Sequence, residues 1–282
     1  MYWKLYQRVT EPETGSQRFV FELEDSCLAE SAIVYHKQEA HLCISTQVGC
    51  PIGCNHCATR YCSPRFIRNL TLRELVSMSQ FLLSEADTDR GSLILSFSGH
   101  GEPLLNWSAV KKCATKLRGN VFCVYLTTVG IRKTLLFHVR KSSVPDVLYI
   151  SLHGSCDAER SRIIPSNPQI MKCKEIIHFA SDFVKNGRRA VLNYVATDFN
   201  TTTEAAMRLA ELTSQVENSI EIRITHLNPV CAQTMLYSPS SEGIDNFANM
   251  LAKKCRKLKV RVSDTVGRTH NLACGQMKAG IL

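Results

Sequence analysis

Three cysteines on one short loop are the residues whose types and spacing indicate chemistry most directly. Cys50, Cys54 and Cys57 have the spacing C-x3-C-x2-C and follow Gly49. Three thiolates can hold three irons of a 4Fe-4S cube, and the missing fourth ligand leaves one iron open to chelate a small molecule. Zinc would normally require a fourth Cys or His nearby to complete its tetrahedron. The loop therefore predicts an iron-sulfur cluster, with a zinc site or ordinary core cysteines as the weaker alternatives.

The cysteine loop resembles that of the radical S-adenosylmethionine (SAM) superfamily. This resemblance implies that the open iron binds the amino and carboxylate groups of SAM. It also implies that an electron from the cluster cleaves SAM to a 5′-deoxyadenosyl radical. Cys50, Cys54 and Cys57 are then the expected metal ligands.

A glycine-rich turn follows the next apolar run of the sequence. The segment SFSGHGEP at 96–103 resembles the GEP motif of the same superfamily. Glycine lets the backbone approach a ligand closely, and an acidic side chain can accept a hydrogen bond from the SAM ammonium. We expect Gly101 and Glu102 to contact SAM.

Further polar or turn residues close later apolar runs, where they could reach the ribose, carboxylate or adenine of SAM. A strand-end cap is the alternative interpretation of each of them taken singly. The expected SAM-binding residues of this group are Thr127, Ser151, Leu152, His153 and Asn228.

The order of motifs along the chain resembles the RlmN/Cfr family of RNA adenine methyltransferases. Five segments carry this resemblance: CISTQVGC at 43–50, GEP at 101–103, SLH at 151–153, IPSN at 164–167 and ACGQ at 273–276. The family methylates an adenosine ring carbon in structured RNA, ribosomal or transfer, at position 2 or position 8. For this chain, position 2 is favoured over position 8.

Three residues gain catalytic roles from the resemblance. Cys274 takes a methyl group from one SAM, and the radical from a second SAM removes a hydrogen atom from that methyl, so that two SAM molecules are used per turnover. The resulting carbon radical adds to adenine and joins RNA to protein. Glu30 removes the ring proton, and Cys43 attacks the sulfur of Cys274, forming a disulfide that releases methylated RNA; this exchange requires an accessible thiolate.

Apolar runs that alternate with helical patterns must position these residues. Extended runs at 92–97, 122–127, 147–152, 190–195, 220–225 and 260–262 alternate with helical patterns at 71–86, 107–118, 169–186, 201–216 and 242–257. Such alternation predicts parallel βαβ units, in which ligands bind at the carboxyl ends of the strands. The fold class expected is α/β, a partial (β/α) barrel of the radical SAM type with a short N-terminal β extension.

Two domains are expected, a small N-terminal β extension over 1–42 and the partial barrel with its catalytic-cysteine segment over 43–282. Typical members of the family begin with a helical domain of about ninety residues, so this chain resembles a short form. The loop after Cys57 also looks about two residues longer than the usual version. RNA recognition is therefore the step that the motifs specify least.

Composition limits the partners and the compartment. The 282 residues contain thirteen cysteines and carry a formal net charge of +9. An odd number of cysteines in a chain of this size favours metal or redox chemistry over a disulfide framework, and positive charge favours a polyanion such as RNA. With no leader-like or membrane-spanning segment, we expect a cytoplasmic monomer with no membrane partner, reduced by an electron donor such as flavodoxin or ferredoxin.

Two other functions remain open from the sequence. One is a radical SAM enzyme of the same architecture that acts on a small molecule or a protein. The other is a non-catalytic iron-sulfur protein that binds RNA. The Cys43 and Cys274 pair favours the methyltransferase, because neither alternative requires both thiols.

Overall fold

The computed structural model describes residues 2–61, 65–87, 89, 92–185, 187–228 and 235–263. The expected methyl-carrying Cys274 lies outside these described residues.

Ten of the twelve described strands form one continuous sheet, in the order β1-β2-β3-β4-β7-β8-β9-β10-β11-β12. The first four strands pair antiparallel, and from β4 onward all pairs are parallel. The separate β5 and β6 form a short antiparallel hairpin. The strands are β1 Trp3–Thr10, β2 Gln17–Leu23, β3 Leu28–His36, β4 Glu39–Ile44, β5 Gln47–Gly49, β6 Phe66–Asn69, β7 Ser92–Phe97, β8 Cys123–Thr128, β9 Val147–Ser151, β10 Arg189–Val195, β11 Ile220–Thr225 and β12 Leu258–Val262.

Helices follow most of the parallel strands, as the alternating pattern predicts. They are α1 Leu72–Glu85, α2 Trp107–Leu117, α3 Arg132–Thr134, α4 Asp157–Ile163, α5 Cys173–Val184, α6 Thr203–Ser214 and α7 Ser241–Lys254, with a π-helical turn over Leu135–Val139 that continues α3. Short 3-10 turns occupy Ala58–Tyr61, Pro103–Asn106 and Arg118–Asn120. The predicted α/β partial barrel is confirmed.

The two faces of the sheet differ in what they pack against. On β8, Val124 and Leu126 point to the outer face, where they join the main core with the helices. Tyr125 points to the other, inner face, where it packs in a small cluster with Ile94 and Val191. Since side chains alternate along a strand, each strand contributes to the core with one set of residues and to the inner face with the other.

Several elements differ from the sequence prediction. Strands β1, β4, β5 and β6 and helices α3 and α4 were not predicted, because they are short or lack a clear period. The helix predicted over 169–186 begins only at Cys173, because Ile170 is held in an extended bridge with Ile131 and Met171 N–H donates to the Gly130 carbonyl. Strand β4 runs across residue 42, and the division into two domains at that residue stays a prediction.

The described residues include no helix both long and apolar enough to span a bilayer.

The start of α1 shows how a local sequence signal becomes structure. The Thr71 hydroxyl accepts from Glu74 N–H at 3.2 Å, and the Glu74 carboxylate accepts from Thr71 N–H at 2.7 Å. This reciprocal pair is the capping box that the spacing of Thr71 and Glu74 predicts. Arg68 in turn contacts the Glu74 carboxylate at 2.8 Å, which ties the helix start to β6.

Replacing Thr71 by alanine should lower the free energy of unfolding by about 0.5–2 kcal/mol, because one orphan N–H of the first turn loses its acceptor. Urea denaturation followed by circular dichroism would measure this. Thr71→Ser keeps the hydroxyl and serves as the control. Equal loss in both variants would show that the methyl group of Thr71, and not the cap, matters.

Candidate active site at the carboxyl ends of the strands

A set of hydrogen bonds joins the end of β4 and the segment after it to the turn after β7. These bonds link residues 44–47 to residues 99–102, and we call them the clamp. Gly99 N–H donates to the Ile44 carbonyl at 3.1 Å, and Thr46 N–H donates to the His100 carbonyl at 2.8 Å. His100 N–H donates to the Ser45 hydroxyl at 2.9 Å. The clamp places the cysteine loop, which starts three residues after Gln47, directly beside the glycine-rich turn.

Two glycines make this close approach possible. A Cβ on Gly99 would lie 2.6 Å from Ser45 N, and a Cβ on Gly101 would lie 2.6 Å from the Gln47 Cβ. Gly101 also has a φ of +99°, which side-chain-bearing residues rarely adopt. Both positions therefore require glycine, which explains the spacing of the turn.

Glu102 is the most heavily bonded acidic residue of the site. Its carboxylate accepts from the Thr128 hydroxyl at 2.6 Å, from Val129 N–H at 2.9 Å and from Leu104 N–H at 3.0 Å. Burial raises the pKa of Glu102 to about 7, and these hydrogen bonds oppose that rise. Each carboxylate oxygen can accept twice, so Oε2 retains capacity for a ligand donor such as an ammonium.

The cysteine loop is anchored by its own backbone and by α4. Cys50 N–H donates to the Arg65 carbonyl at 2.7 Å, and Cys57 N–H donates to the Cys54 carbonyl at 3.1 Å. Asn55 reaches α4, where its N–H donates to the Ile163 carbonyl at 2.8 Å. The loop is thus held against the end of α4 and not only by the flanking strands.

The thiols of this loop lie where a negative charge is costly without a cation. The pKa of Cys50 is raised to about 12, mainly by burial, with the charges of Glu102 and Cys57 contributing to the rise. Burial likewise raises the pKa of Cys54 well above its ordinary value, with Cys57 and Cys50 adding to the rise. A bound metal centre inverts this balance, because it stabilises the thiolates directly.

The three thiols of the cysteine loop fit an iron-sulfur cluster. Within the described ranges, no group of three or more His, Cys, Asp or Glu side chains surrounds one ion position. Thiolates that bind a cube each hold a separate iron, so they need not converge on one point. Three half-buried thiols on one loop therefore fit a 4Fe-4S cluster with one open iron.

Glu30 and Cys43 lie on the inner face of neighbouring strands. Cys43 is paired with Ala32 across β3 and β4, packs against it and is half-buried. Glu30 lies two residues from Ala32 on the same face, toward the catalytic end, and is fully buried. The Ser45 hydroxyl donates to the Glu30 carbonyl.

His100 brings the clamp to the Glu30 carboxylate. Its Nε2 lies 3.9 Å from Glu30 Oε2, and both side chains are almost completely enclosed. The structure therefore places the predicted base beside the glycine-rich turn, although the two are seventy residues apart in the sequence.

The end of β9 forms a tightly bonded corner. His153 has a φ of +53°, and its Nδ1 accepts from Val195 N–H at 3.0 Å. Burial lowers the pKa of His153 well below its ordinary value, and the charges of His56 and Arg160 lower it further, so the ring is neutral. The His153 and His56 rings meet edge to face with centroids 4.9 Å apart, which joins this corner to the cysteine loop.

Ser151 and Leu152 contribute to this corner through their backbone carbonyls. The Arg160 guanidinium donates to the Ser151 carbonyl, to the Leu152 carbonyl at 3.1 Å and to the Val129 carbonyl at 2.6 Å. Arg160 thereby joins the ends of β8 and β9 beneath the cysteine loop.

The two remaining residues that are expected to contact SAM, Thr127 and Asn228, are only half-buried. Thr127 is half-buried on the inner face of β8, and it is the next residue, Thr128, that bonds Glu102. Asn228 lies three residues beyond the end of β11 and is half-buried. Both lie at carboxyl ends of strands, as predicted, and their contacts with SAM stay predictions.

Sequence reasoning missed several residues that shape the site. Gln47 accepts from Glu102 N–H at 2.8 Å, and Asn200 donates to the His153 carbonyl at 3.0 Å. Arg160 carried one usable signal, a buried cation on the core side of α4. The others gave no local signal, because their partners lie more than forty residues away.

None of the ten described cysteines, Cys43 included, forms a disulfide bond. Cys274, as the expected partner of Cys43, lies outside the described residues, so the structure does not test that pairing.

Known proteins resemble this chain in sequence and in structure, although no protein-family profile matches it. A protein named probable dual-specificity RNA methyltransferase RlmN from Pseudothermotoga lettingae is 32% identical, over 93% of this chain and 75% of its own length. The protein of the same name from Thermotoga neapolitana is 29% identical, over 98% of this chain and 80% of its own length. A solved radical SAM methyltransferase from Sphaerobacter thermophilus has a TM-score of 0.86 and 26% identity, over 99% of this chain and 82% of that one.

Removing one thiol should abolish cluster binding. Anaerobic reconstitution of the parent should give about four irons and four sulfides per chain, whereas Cys54→Ala should retain little of either. Cys113→Ala, which removes a buried thiol of α2, is the matched control and should load normally. Stoichiometric zinc without sulfide in anaerobically handled parent protein would contradict the cluster.

Proposed function

We propose that this chain, which belongs to the RlmN family of radical SAM RNA methyltransferases, methylates a ring carbon of adenosine. The substrate would be ribosomal or transfer RNA, and the methyl group would pass through Cys274. Position 2 of the ring is favoured over position 8. The observation that carries the proposal is the joint placement of Glu30 and Cys43 on one inner face, next to the clamp that holds the cysteine loop.

The residues that would hold the cofactors lie around the clamp. Cys50, Cys54 and Cys57 would bind the cluster. SAM would lie against Gly101, Glu102, Thr127, Ser151, Leu152, His153 and Asn228. A cluster bound there supplies the electron that cleaves SAM to a 5′-deoxyadenosyl radical.

Glu102 would orient SAM through its charge. Its Oε2 accepts only from Val129 N–H among the described residues, so the second acceptor position can receive the SAM ammonium. A cation at this point would also stabilise the carboxylate against its burial, which explains why an acid with a raised pKa is retained here.

Two thiols and one carboxylate would complete the reaction. The Cys274 thiolate would accept the methyl group of a first SAM, because carbon 2 of adenine is not nucleophilic enough to displace it directly. After the methyl carbon has joined the ring, Glu30 would remove the ring proton. The Cys43 thiolate would then attack the Cys274 sulfur and break its bond to the added carbon, which takes up a proton to become the methyl group of the released RNA. The unpaired electron of the adduct would return to the oxidised one-electron carrier, and an external thiol must later reduce the disulfide.

The neighbourhood of Glu30 and Cys43 supports this division of labour. Residues two apart on a strand are separated by roughly 6.5 Å. Glu30 is therefore about the width of one substrate ring from Ala32, the residue that packs against Cys43. A carboxylate enclosed away from bulk water keeps its proton exchange confined to the site. The protein would act as a monomer. A one-electron donor such as flavodoxin or ferredoxin would reduce it.

Glu102→Gln should keep the cluster and weaken SAM binding, since the charge-assisted hydrogen bond lost contributes roughly 1.5–3 kcal/mol. Isothermal titration with SAM under anaerobic conditions would measure the change, with iron content as the check on loading. Thr128→Val removes a hydrogen bond to the same carboxylate without removing its charge and is the control. Unchanged affinity in Glu102→Gln would remove Glu102 from the SAM site.

The two thiols should fail in different ways. Cys274→Ala should be inert, while Cys43→Ala should leave RNA covalently attached through Cys274, because only the resolving step is lost. Glu30→Gln should also accumulate the adduct, since loss of a general base slows proton removal by about 10²–10⁴-fold. Denaturing gel electrophoresis with labelled RNA would detect the adduct.

Cys123→Ala is the matched control for this series, because Cys123 is a half-buried thiol on the inner face of β8. It should turn over like the parent. Turnover by Cys43→Ala at the parental rate, or the absence of a methyl group on Cys274 in anaerobically purified protein, would contradict the methyl-cysteine route.

A further inference from the structure

We propose that an outer face of the barrel, remote from the reacting atoms, binds phosphates of the RNA substrate. This inference rests on the proposed action on RNA. The face, called here the basic face, consists of exposed cations on α2, on α3 and on the π-helical turn with the residues that follow it. Its members are Lys111, Lys112, Lys116, Lys133, Arg140 and Lys141.

The sequence of this region carries charge of one sign only. From 103 to 145 there is no Asp or Glu, although the chain as a whole has 25 acidic residues. The same stretch contains eight Lys and Arg residues. Solvated helix faces usually mix both signs, as α6 does with Glu204, Arg208 and Glu211, so a one-signed face indicates an oppositely charged partner.

One contact near each end ties α2 to the segment of α3 and the π-helical turn, which brings their cations toward one surface. At the catalytic end, the Thr134 hydroxyl donates to the Leu104 carbonyl at 3.4 Å, just before α2 begins. At the opposite end, Arg118 beyond α2 binds Asp146 beyond the π-helical turn. Val110, Leu117 and Leu135 are buried in the main core, which leaves the cations outward.

Six of the eight cations are exposed to solvent and have no acidic partner among the described residues. Arg118 is neutralised by Asp146 and Arg132 by Glu175. In the part of the chain that the structure describes, no carboxylate forms an ion pair with the six members of the basic face. By contrast, α7 carries Glu242 and Asp245 besides its lysines, and Arg261 on β12 lies 3.8 Å from Glu221.

Arg188 strengthens the positive potential at the far end of the face. Its guanidinium donates to the carbonyls of Ser142 at 2.8 Å and Arg140 at 2.9 Å. These carbonyls would otherwise present the negative end of a helix dipole to an approaching phosphate. Arg188 therefore removes a repulsion that would weaken anion binding beside Arg140 and Lys141.

An exposed aromatic residue favours nucleic acid over an acidic protein. Phe137 is 61% exposed and lies between Lys133 and Arg140 along the chain, beside His138. Single-stranded RNA is bound by basic surfaces interrupted by aromatic rings, on which bases stack. An acidic protein would offer carboxylates to the lysines and would need no stacking platform.

The basic face begins at the catalytic end, so one RNA molecule could reach both. Ile131, next to α3, and Leu105, next to α2, line a cavity of about 170 Å³ with Pro51 and Ile52 of the cysteine loop. At 1.5 Å per residue, α2 extends about 16 Å down the barrel, which matches about five nucleotides of one strand at 3.4 Å each. The flanking RNA, not the target adenosine, would lie here.

Salt dependence of RNA binding tests the proposal. In the triple variant Lys116→Gln, Lys133→Gln, Lys141→Gln, the plot of log affinity for bulk transfer RNA against log salt should become shallower by about two to three units. Each phosphate contact contributes about 0.7 to the slope in a single strand and about 0.9 in a duplex. Phe137→Ala should weaken binding by about fivefold or more with the slope unchanged. Fluorescence anisotropy on the full-length protein would measure both.

A second triple variant, Lys253→Gln, Lys254→Gln, Lys259→Gln, removes the same charge from another surface and is the control. An equal change of slope in both triples, or none in the first, would overturn the proposal. So would a first triple that binds RNA normally but is reduced more slowly by flavodoxin, which would assign the face to an acidic protein. Binding needs no turnover, so RNA that binds through the basic face but is not methylated would contradict the proposed function and not this interface.

Discussion

The backbone approach of residues 44–47 to residues 99–102 is the constraint on which the rest of the site depends. The clamp fixes Ser45, which bonds Glu30 on one side and His100 on the other. It also fixes Gln47, which holds Glu102 and begins the hairpin that carries the cysteine loop. A displacement here would move the predicted base, the predicted SAM ligand and the predicted cluster ligands together. Glycine at 99 and 101 is therefore a condition for the chemistry as much as for the turn.

Side chains alternate along each strand, so one face of the sheet packs in the core and the other carries the polar residues of the site. Outward residues such as Leu95, Val124 and Leu148 belong to the main core and are fully buried. Inward residues become polar toward the carboxyl ends, where Cys43 and Thr127 lie. Core packing can therefore remain tight while the inner face changes with the substrate. The outer helices add a third role, since their solvent sides can carry charge without affecting either face.

Local patterns predicted the parts of the site that local sequence determines. The cysteine loop, the glycine-rich turn and the capping box of α1 are each encoded within about ten residues, and the strand β7 before the glycine-rich turn has a clear apolar run. Gln47 and Asn200 escaped prediction because their roles arise from contacts between distant segments, whereas the position of Arg160 on α4 was a usable signal that the sequence reasoning did not use. The contact of His100 with Glu30 belongs to the same class. For His153, the left-handed backbone is imposed by bonds to Asn193 and Asn200, which no local pattern announces.

The hydrogen bond from Cys50 N–H to the Arg65 carbonyl closes the cysteine loop upon itself at the β5–β6 hairpin. Both ends of the loop are thus fixed by the hairpin, and the sheet neighbours β4 and β7 pair without it. Lengthening a loop with fixed ends costs little, since each doubling adds only about 0.6 kcal/mol of closure entropy. Evolution can therefore add or remove residues after Cys57 without shifting any strand. The sequence predicts a longer loop here than in the family, and such a change would let the rim of the active site diverge while the register of the barrel stays the same.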